Sequence, residues 1–293
     1  MSGQLKEVRN RIDSVKSTQQ ITKAMKMVSA AKLRRAQDAI MQMRPYAQKL
    51  QEMLSNIVSA ENELSIKLAE ERPVQNVLLI VITSDRGLAG AYNANVIKLA
   101  QSVIEEKYAS QMQKGNVAVW NIGKKGYETM TREKYKTDAT YKDLLQQISF
   151  DSVHELAKSA VEAFDKGQFD IIEIVYSRFK NAATQIFTSE QFLPIPKVAP
   201  QEWLKKNVDF IFEPQKEKLI AELMPKILNT QLYKAVLDAN ASEHGARMTA
   251  MDKASDNANE ILRELRISYN RARQAAITTE LTEIVSGAAA LQG

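Results

Sequence analysis

The chain has 293 residues, a net charge of +5 and no cysteine. That length suits one large or two modest domains, and its composition is that of a folded chain rather than a disordered or collagen-like one. Disulfides, thiolate metal sites and thiol-based redox switching are excluded. No run of about eighteen apolar residues offers a membrane span. The start, Met1-Ser2-Gly3-Gln4-Leu5-Lys6-Glu7, lacks the apolar core of a signal peptide, so the chain is expected to stay on the side of the membrane where it is made.

Residues 1–60 hold eleven Lys or Arg against four Asp or Glu, with one Pro (Pro45) and one Gly (Gly3), which predicts a basic helical rod of roughly 80 Å. Leu33, Ala36, Ile40, Met43, Ala47, Leu50, Leu54 and Ile57 alternate three and four apart, the spacing of a coiled-coil seam. An earlier seam, Leu5, Val8, Ile12 and Val15, gives way to Ile21, Met25 and Val28, so a register slip is expected around Gln19 and Gln20. Pro45 removes one backbone donor and is expected to bend the helix slightly.

The middle of the chain has a different texture. Apolar runs at 74–83, 116–122, 169–179 and 182–192 read as strands, with helices near 93–112 and 152–165. Strand, helix, strand in series implies a small sheet, at least partly parallel, covered by helices. The last two strands are separated only by Lys180 and Asn181, which reads as a tight hairpin. From about Lys216 onward Pro is almost absent. There Met248, Met251, Ser255, Ala258, Leu262, Leu265, Tyr269, Ala272 and Ala276 again alternate three and four, predicting a second helix of roughly 110 Å. The fold class is α/β with a long antiparallel coiled coil: helices at 1–60 and 215–293 flank a Rossmann-like α/β domain at 73–200.

Few residues invite bond chemistry. Ser84-Asp85-Arg86-Gly87-Leu88-Ala89-Gly90-Ala91-Tyr92-Asn93 follows a strand and opens a helix, where phosphate loops sit, but it lacks the Gly-Lys-Ser/Thr ending and the dinucleotide glycine spacing. A tight turn in which Asp85 and Arg86 pair locally fits better. His154 and His244 stand in no zinc spacing, and no nucleophile elbow occurs. The basic rod has few aromatic residues to stack bases, so its charges read as a solvated face rather than a nucleic-acid track. After Arg273 there is no positive charge, and the tail is small and apolar except for Glu280 and Glu283. Such a tip is expected to sit inside an apolar partner, or in a homodimer.

Ile21-Thr22-Lys23-Ala24-Met25-Lys26-Met27-Val28, Ser84-Asp85-Arg86-Gly87-Leu88, Glu243-His244-Gly245-Ala246-Arg247-Met248 and the stretch from Arg273-Gln274-Ala275-Ala276-Ile277 to Ser286-Gly287-Ala288 resemble the gamma subunit of F-type ATP synthases, from end to end and in order. The resemblance implies a non-catalytic rotary central stalk, one copy per complex. Its terminal helices would turn inside a ring of alpha and beta subunits, and its α/β domain would rest on the epsilon subunit and the membrane c-ring. It implies a peripheral place at the cytoplasmic face of the bacterial inner membrane, and MgATP or ADP bound by partner subunits, with no cofactor on this chain. Residue by residue, Met25, Lys26, Arg273, Gln274, Thr278 and Glu280 match positions that meet alpha and beta. Arg247 matches one near epsilon, and Phe210, Phe212 and Glu213 fall where the rotor ring is met. Two departures stand out. Ala89 replaces a Cys that many relatives carry, and the two-cysteine regulatory insertion of photosynthetic relatives is missing. The rival readings are a homodimeric coiled-coil scaffold with an α/β head and, further off, a nucleotide-dependent enzyme.

Overall fold

In the computed structural model, residues 2–59, 67–195 and 216–292 are described. Helix α1 (Ser2–Ser59) opens the chain and α6 (Lys216–Gln292) closes it. Between them come β1 (Val77–Ile82), α2 (Tyr92–Lys107), α3 (Ala109–Gln113), β2 (Val117–Ile122), α4 (Lys124–Arg132), β3 (Lys136–Asp138), α5 (Phe150–Asp165), β4 (Ile171–Phe179) and β5 (Gln185–Leu193). The residues pack as two units, Ala30–Arg247 on the one hand and Met1–Ser29 with Met248–Gly293 on the other.

In the larger unit the five strands lie in the order β3-β2-β1-β4-β5. The first four are parallel, and β5 returns antiparallel beside β4. β1, Val-Leu-Leu-Ile-Val-Ile, is buried at every position, as a strand covered on both faces must be. Its period-two alternation divides the core. Leu78, Ile80 and Ile82 face Leu156, Ala160 and Phe164 of α5 and Leu228, Leu232 and Val236 of α6. Val77, Leu79 and Val81 face Val96, Ala100 and Ile104 of α2. On α6 the buried run Leu228, Leu232, Ala235, Val236 and Ala239 keeps the three-and-four spacing of one helical face. A capping box, Ser149 and Ser152 exchanging side-chain and backbone bonds, starts α5.

One acid sits inside the sheet. Glu173 on β4 is buried, and burial pushes its carboxyl up. Hydrogen bonds from Ser189 on β5, Tyr108 and Lys107 outweigh that and hold it below the usual carboxylate range.

Several local expectations change. β4 and β5 are joined by residues 180–184, not by two residues, because the Asn181 side chain accepts from the N–H groups of Ala183 and Thr184 and holds them in the turn. The helix expected at 93–112 is interrupted at Tyr108. α4 and β3 escaped the sequence reading: α4 buries only Gly126 and Met130, and β3 is a three-residue edge strand of polar residues. Asp85 does not pair with Arg86; its carboxylate accepts from the backbone N–H of Lys124 at 3.3 Å.

The smaller unit pairs the start of α1 with the end of α6, and the expected seam slip is absent. The inward positions of α1 run Leu5, Val8, Ile12, Val15, Gln19, Thr22, Lys26 and Ser29, then Leu33, Ala36, Ile40, Met43, Ala47 and Leu50, alternating three and four throughout. Gln19, Thr22 and Ser29 are buried, whereas Ile21 and Val28, assigned to the seam on hydrophobicity, are 59% and 57% exposed. For Gln19 and Thr22, hydrogen-bonded partners on α6, Asn259 and Ser255, explain the reversal: polar side chains are buried where other polar side chains receive them. On α6 the expected positions from Met248 to Ala276 are the inward ones.

Gly123, which ends β2, has φ +97° and ψ 136°, a conformation open mainly to glycine, and a Cβ there would lie 2.6 Å from the carbonyl oxygen of Thr83. Gly167 also has positive φ (+69°), but its Cβ would meet nothing. Gly123→Ala is expected to lower stability by about 2–5 kcal/mol, from strain plus overpacking, and Gly167→Ala by about 1–2 kcal/mol. Urea denaturation of the two variants checks this; equal losses would contradict the packing described.

Candidate functional site

In an open parallel sheet, ligands bind beyond the carboxyl ends of the strands where the connections diverge. Here that point lies between β1 and β4: the chain leaves β1 toward β2, and later crosses back to reach β4 on the other side. The crevice is walled by the loop after β1 and the turn after β4, and α6 fills it. Ser242 donates to the carbonyl of Ser177 on β4 at 3.1 Å. Gly245 lies so close to the 180–184 turn that an added Cβ would sit 3.1 Å from the Cα of Ala182.

Arg247 completes the filling. Its guanidinium donates to the carbonyl oxygens of Arg86 at 2.9 Å and Gly87 at 3.3 Å, and is ion-paired with Glu243 one turn earlier on α6. Its planar fork of donors suits two adjacent carbonyls and a carboxylate at once. The loop it grips is already constrained: Leu88 has φ 63° and Gly90 φ 58°, while Ser84 and Asn93 bond each other across the turn. Burial pushes the Glu243 carboxyl up, and Arg247 opposes that. Burial, then the positive charges of Arg247 and Lys32, pushes His244 down to about 4, so its imidazole is neutral at pH 7. Tyr92, at the first turn of α2, donates its hydroxyl to the carbonyl of Ala239 on α6 at 3.1 Å. α6 thus occupies the crevice, with Arg247 taking up the loop carbonyls of Arg86 and Gly87. Arg247, expected at a subunit contact, has its guanidinium spent on groups of its own chain and is 8% exposed.

Six of the other expected contact residues lie in the smaller unit. Lys26 points into the seam and is ion-paired with Asp252. Next to it Met25 is half-buried, whereas Ile21, Met27 and Val28 are exposed on the opposite face of α1. On α6, Arg273, Gln274, Thr278 and Glu280 are exposed, the Thr278 hydroxyl donating back to the carbonyl of Gln274. They interleave with Ile277, Leu281, Ile284 and Val285, which are 45–68% exposed. Helical spacing puts Arg273, Ile277, Glu280 and Ile284 on one row, and Gln274, Thr278, Leu281 and Val285 on the next. Phe210, Phe212 and Glu213 lie outside the described residues.

Sequence reasoning placed Ser255 in the seam but not its partner Thr22, nor Gln19, and gave Glu243, Asp252 and Asn259 no part. Carrying the three-and-four count of α1 through its polar positions would have found Gln19 and Thr22. The crevice partners carry no such signal, because their meeting depends on strand order.

Arg247→Ala leaves Glu243 buried without its counter-charge and is expected to cost about 3–5 kcal/mol. In a Glu243→Gln background the same change should cost clearly less. Chemical denaturation of the four proteins of this cycle checks it; additive effects would mean the pair is not coupled.

The sequence profile of the family described as ATP synthase matches residues 4–291. The chain is 54% identical over 290 residues to the ATP synthase gamma chain of Cytophaga hutchinsonii, covering 98% of both. It is 49% identical over 291 residues to that of Chlorobium phaeobacteroides, covering 99% of both. Among solved structures it is similar to a chain of the Euglena gracilis mitochondrial ATP synthase in rotational state 3 (TM-score 0.66, 21% identity, 99% of this chain and 95% of that one). A chain of the Tetrahymena thermophila mitochondrial ATP synthase central stalk and c-ring also matches (TM-score 0.57, 23% identity, 80% of this chain and 99% of that one).

Proposed function

This chain belongs to the ATP synthase gamma chain family and is a central-stalk subunit of that complex; from that premise we propose that it is a shaft which couples transmembrane proton flow to ATP synthesis and hydrolysis on beta subunits, and performs no bond chemistry itself. The observation that carries this is the end of α6. Ile277, Leu281, Ile284 and Val285 stand 45–68% exposed, with no Lys or Arg after Arg273. A helix bearing large apolar side chains in the open is built to be covered. A sleeve of alpha and beta subunits would cover it without deep interlocking knobs, which is what a turning contact requires.

The remaining assignments follow from this reading. Met25, Lys26, Arg273, Gln274, Thr278 and Glu280 would be reached by alpha and beta. Epsilon would sit near Arg247, where that residue's role is to hold the 84–90 loop in shape. Residues Phe210, Phe212 and Glu213 would meet the membrane c-ring. No helix among the described residues is long and apolar enough to cross a membrane. Membrane association would therefore come through the complex, at the cytoplasmic face of the bacterial inner membrane. Nucleotide would be held by the partners, a division favoured by the filling of this sheet's own crevice with α6.

The test is MgATP hydrolysis by purified alpha and beta subunits from the same source, with and without this chain. The expected result is a co-eluting complex with sustained turnover, while the chain alone turns over nothing. Absence of both co-elution and activation would refute the proposal.

A further inference from the structure

The seam of the smaller unit contains three consecutive polar rungs: Gln19 with Asn259, Thr22 with Ser255, and Lys26 with Asp252. The Thr22 and Ser255 hydroxyls are 2.7 Å apart and both residues are buried. All three rungs obey one antiparallel register, in which Thr22 stands level with Ser255. The apolar layers on one side continue it, Val15 with Leu262, Ile12 with Leu265, Val8 with Tyr269 and Leu5 with Ala272.

Those apolar layers cannot define the register by themselves. A slip of one heptad sets Ile12 against Ala272 or Ala258, and Val8 against Ala276 or Leu262, all apolar on apolar; each direction brings only one small hydroxyl against an apolar partner, Ser255 against Val15 or Thr279 against Leu5. The polar rungs do not tolerate the same slip. In one direction Gln19 would meet Leu265, Thr22 would meet Leu262 and Lys26 would meet Ala258; in the other, Gln19 would meet Met251 and Thr22 would meet Met248. Either slip leaves the buried Gln19 and Thr22 without polar partners, the penalty by which a single polar core residue fixes register in coiled coils, and takes the half-exposed Lys26 from its counter-charge.

We propose that these six residues form a register lock, and that they are positioning residues for the exposed end of α6. The register places Arg273 level with the first turn of α1 and leaves α6 from about Thr278 onward with no α1 residue beside it, in line with the exposure of Leu281, Ile284 and Val285. A one-heptad slip would move that end by about 10 Å along the axis. Lys26 is part of the lock, so its charge is committed to Asp252.

The chain has no cysteine, so engineered pairs report register cleanly. Full-length chain carrying Ile12→Cys with Leu265→Cys reads the native register; Ile12→Cys with Ala272→Cys, or with Ala258→Cys, reads the two slipped ones. Under mild oxidation the native pair is expected to close and the slipped pairs to stay open. With all six lock residues made apolar (Gln19→Leu, Thr22→Val, Lys26→Met, Asp252→Leu, Ser255→Ala, Asn259→Leu), slipped disulfides should rise at least tenfold at unchanged helicity. Closure of the native pair alone in that variant would overturn the proposal. Charge exchange provides the second arm, independent of how the apolar variant folds. Lys26→Asp sets two carboxylates face to face and should raise slipped closure, and adding Asp252→Lys should abolish it again. Failure of the exchange to restore the native pattern would equally overturn the lock.

Discussion

The ridge of Leu228, Leu232, Ala235, Val236 and Ala239 on α6, pressed onto Leu78, Ile80 and Ile82 of β1, is the contact from which the rest of the larger unit follows. A parallel sheet must be covered on both faces. α2 serves one face here, and the other is shared between α5 and a helix from the far end of the chain. Each large aliphatic side chain buried there contributes about 1.5–3 kcal/mol. Once α6 is fixed by that ridge, its next turns run past the carboxyl ends of β1 and β4. Ser242, Gly245 and Arg247 then have only one place to go, the crevice at the divergence of the strands.

The fold thus carries the topology of a ligand-binding sheet with its crevice filled from within. Fold alone does not assign function; the side chains at the site do. Here they form a clamp. Glu243 neutralises Arg247, Arg247 satisfies two loop carbonyls, and His244 stays uncharged beside them. A loop with Leu88 at positive φ is held by this network together with the Ser84 and Asn93 bonds across its own turn. What would be a flexible binding loop in an enzyme becomes a rigid attachment, consistent with a subunit whose task is to transmit force.

Much of this was legible in the sequence because the governing patterns are periodic. β1 is an unbroken apolar run, and the α6 seam from Met248 to Ala276 reads correctly at every position. The stretch from Gln19 to Val28 on α1 was misread because hydrophobicity was followed in place of spacing. Ile21 and Val28 are apolar but face outward, while Gln19 and Thr22 are polar and face inward. α4 and β3 were missed for want of an apolar face, and the hairpin was drawn too short because the capping by Asn181 is invisible to a count of apolar residues. The Arg247 clamp was recognisable only as a resemblance. Its physical role depends on strand order, which no local pattern encodes.

The central claim is that this chain turns as a shaft. It is tested most directly by fixing alpha and beta subunits to a surface, attaching a probe to exposed Glu128 on α4 through a Glu128→Cys substitution, and following the probe optically during MgATP hydrolysis. The account predicts stepwise rotation in one direction whose rate follows the rate of hydrolysis. Sustained hydrolysis by the assembled complex with the probe stationary would contradict it.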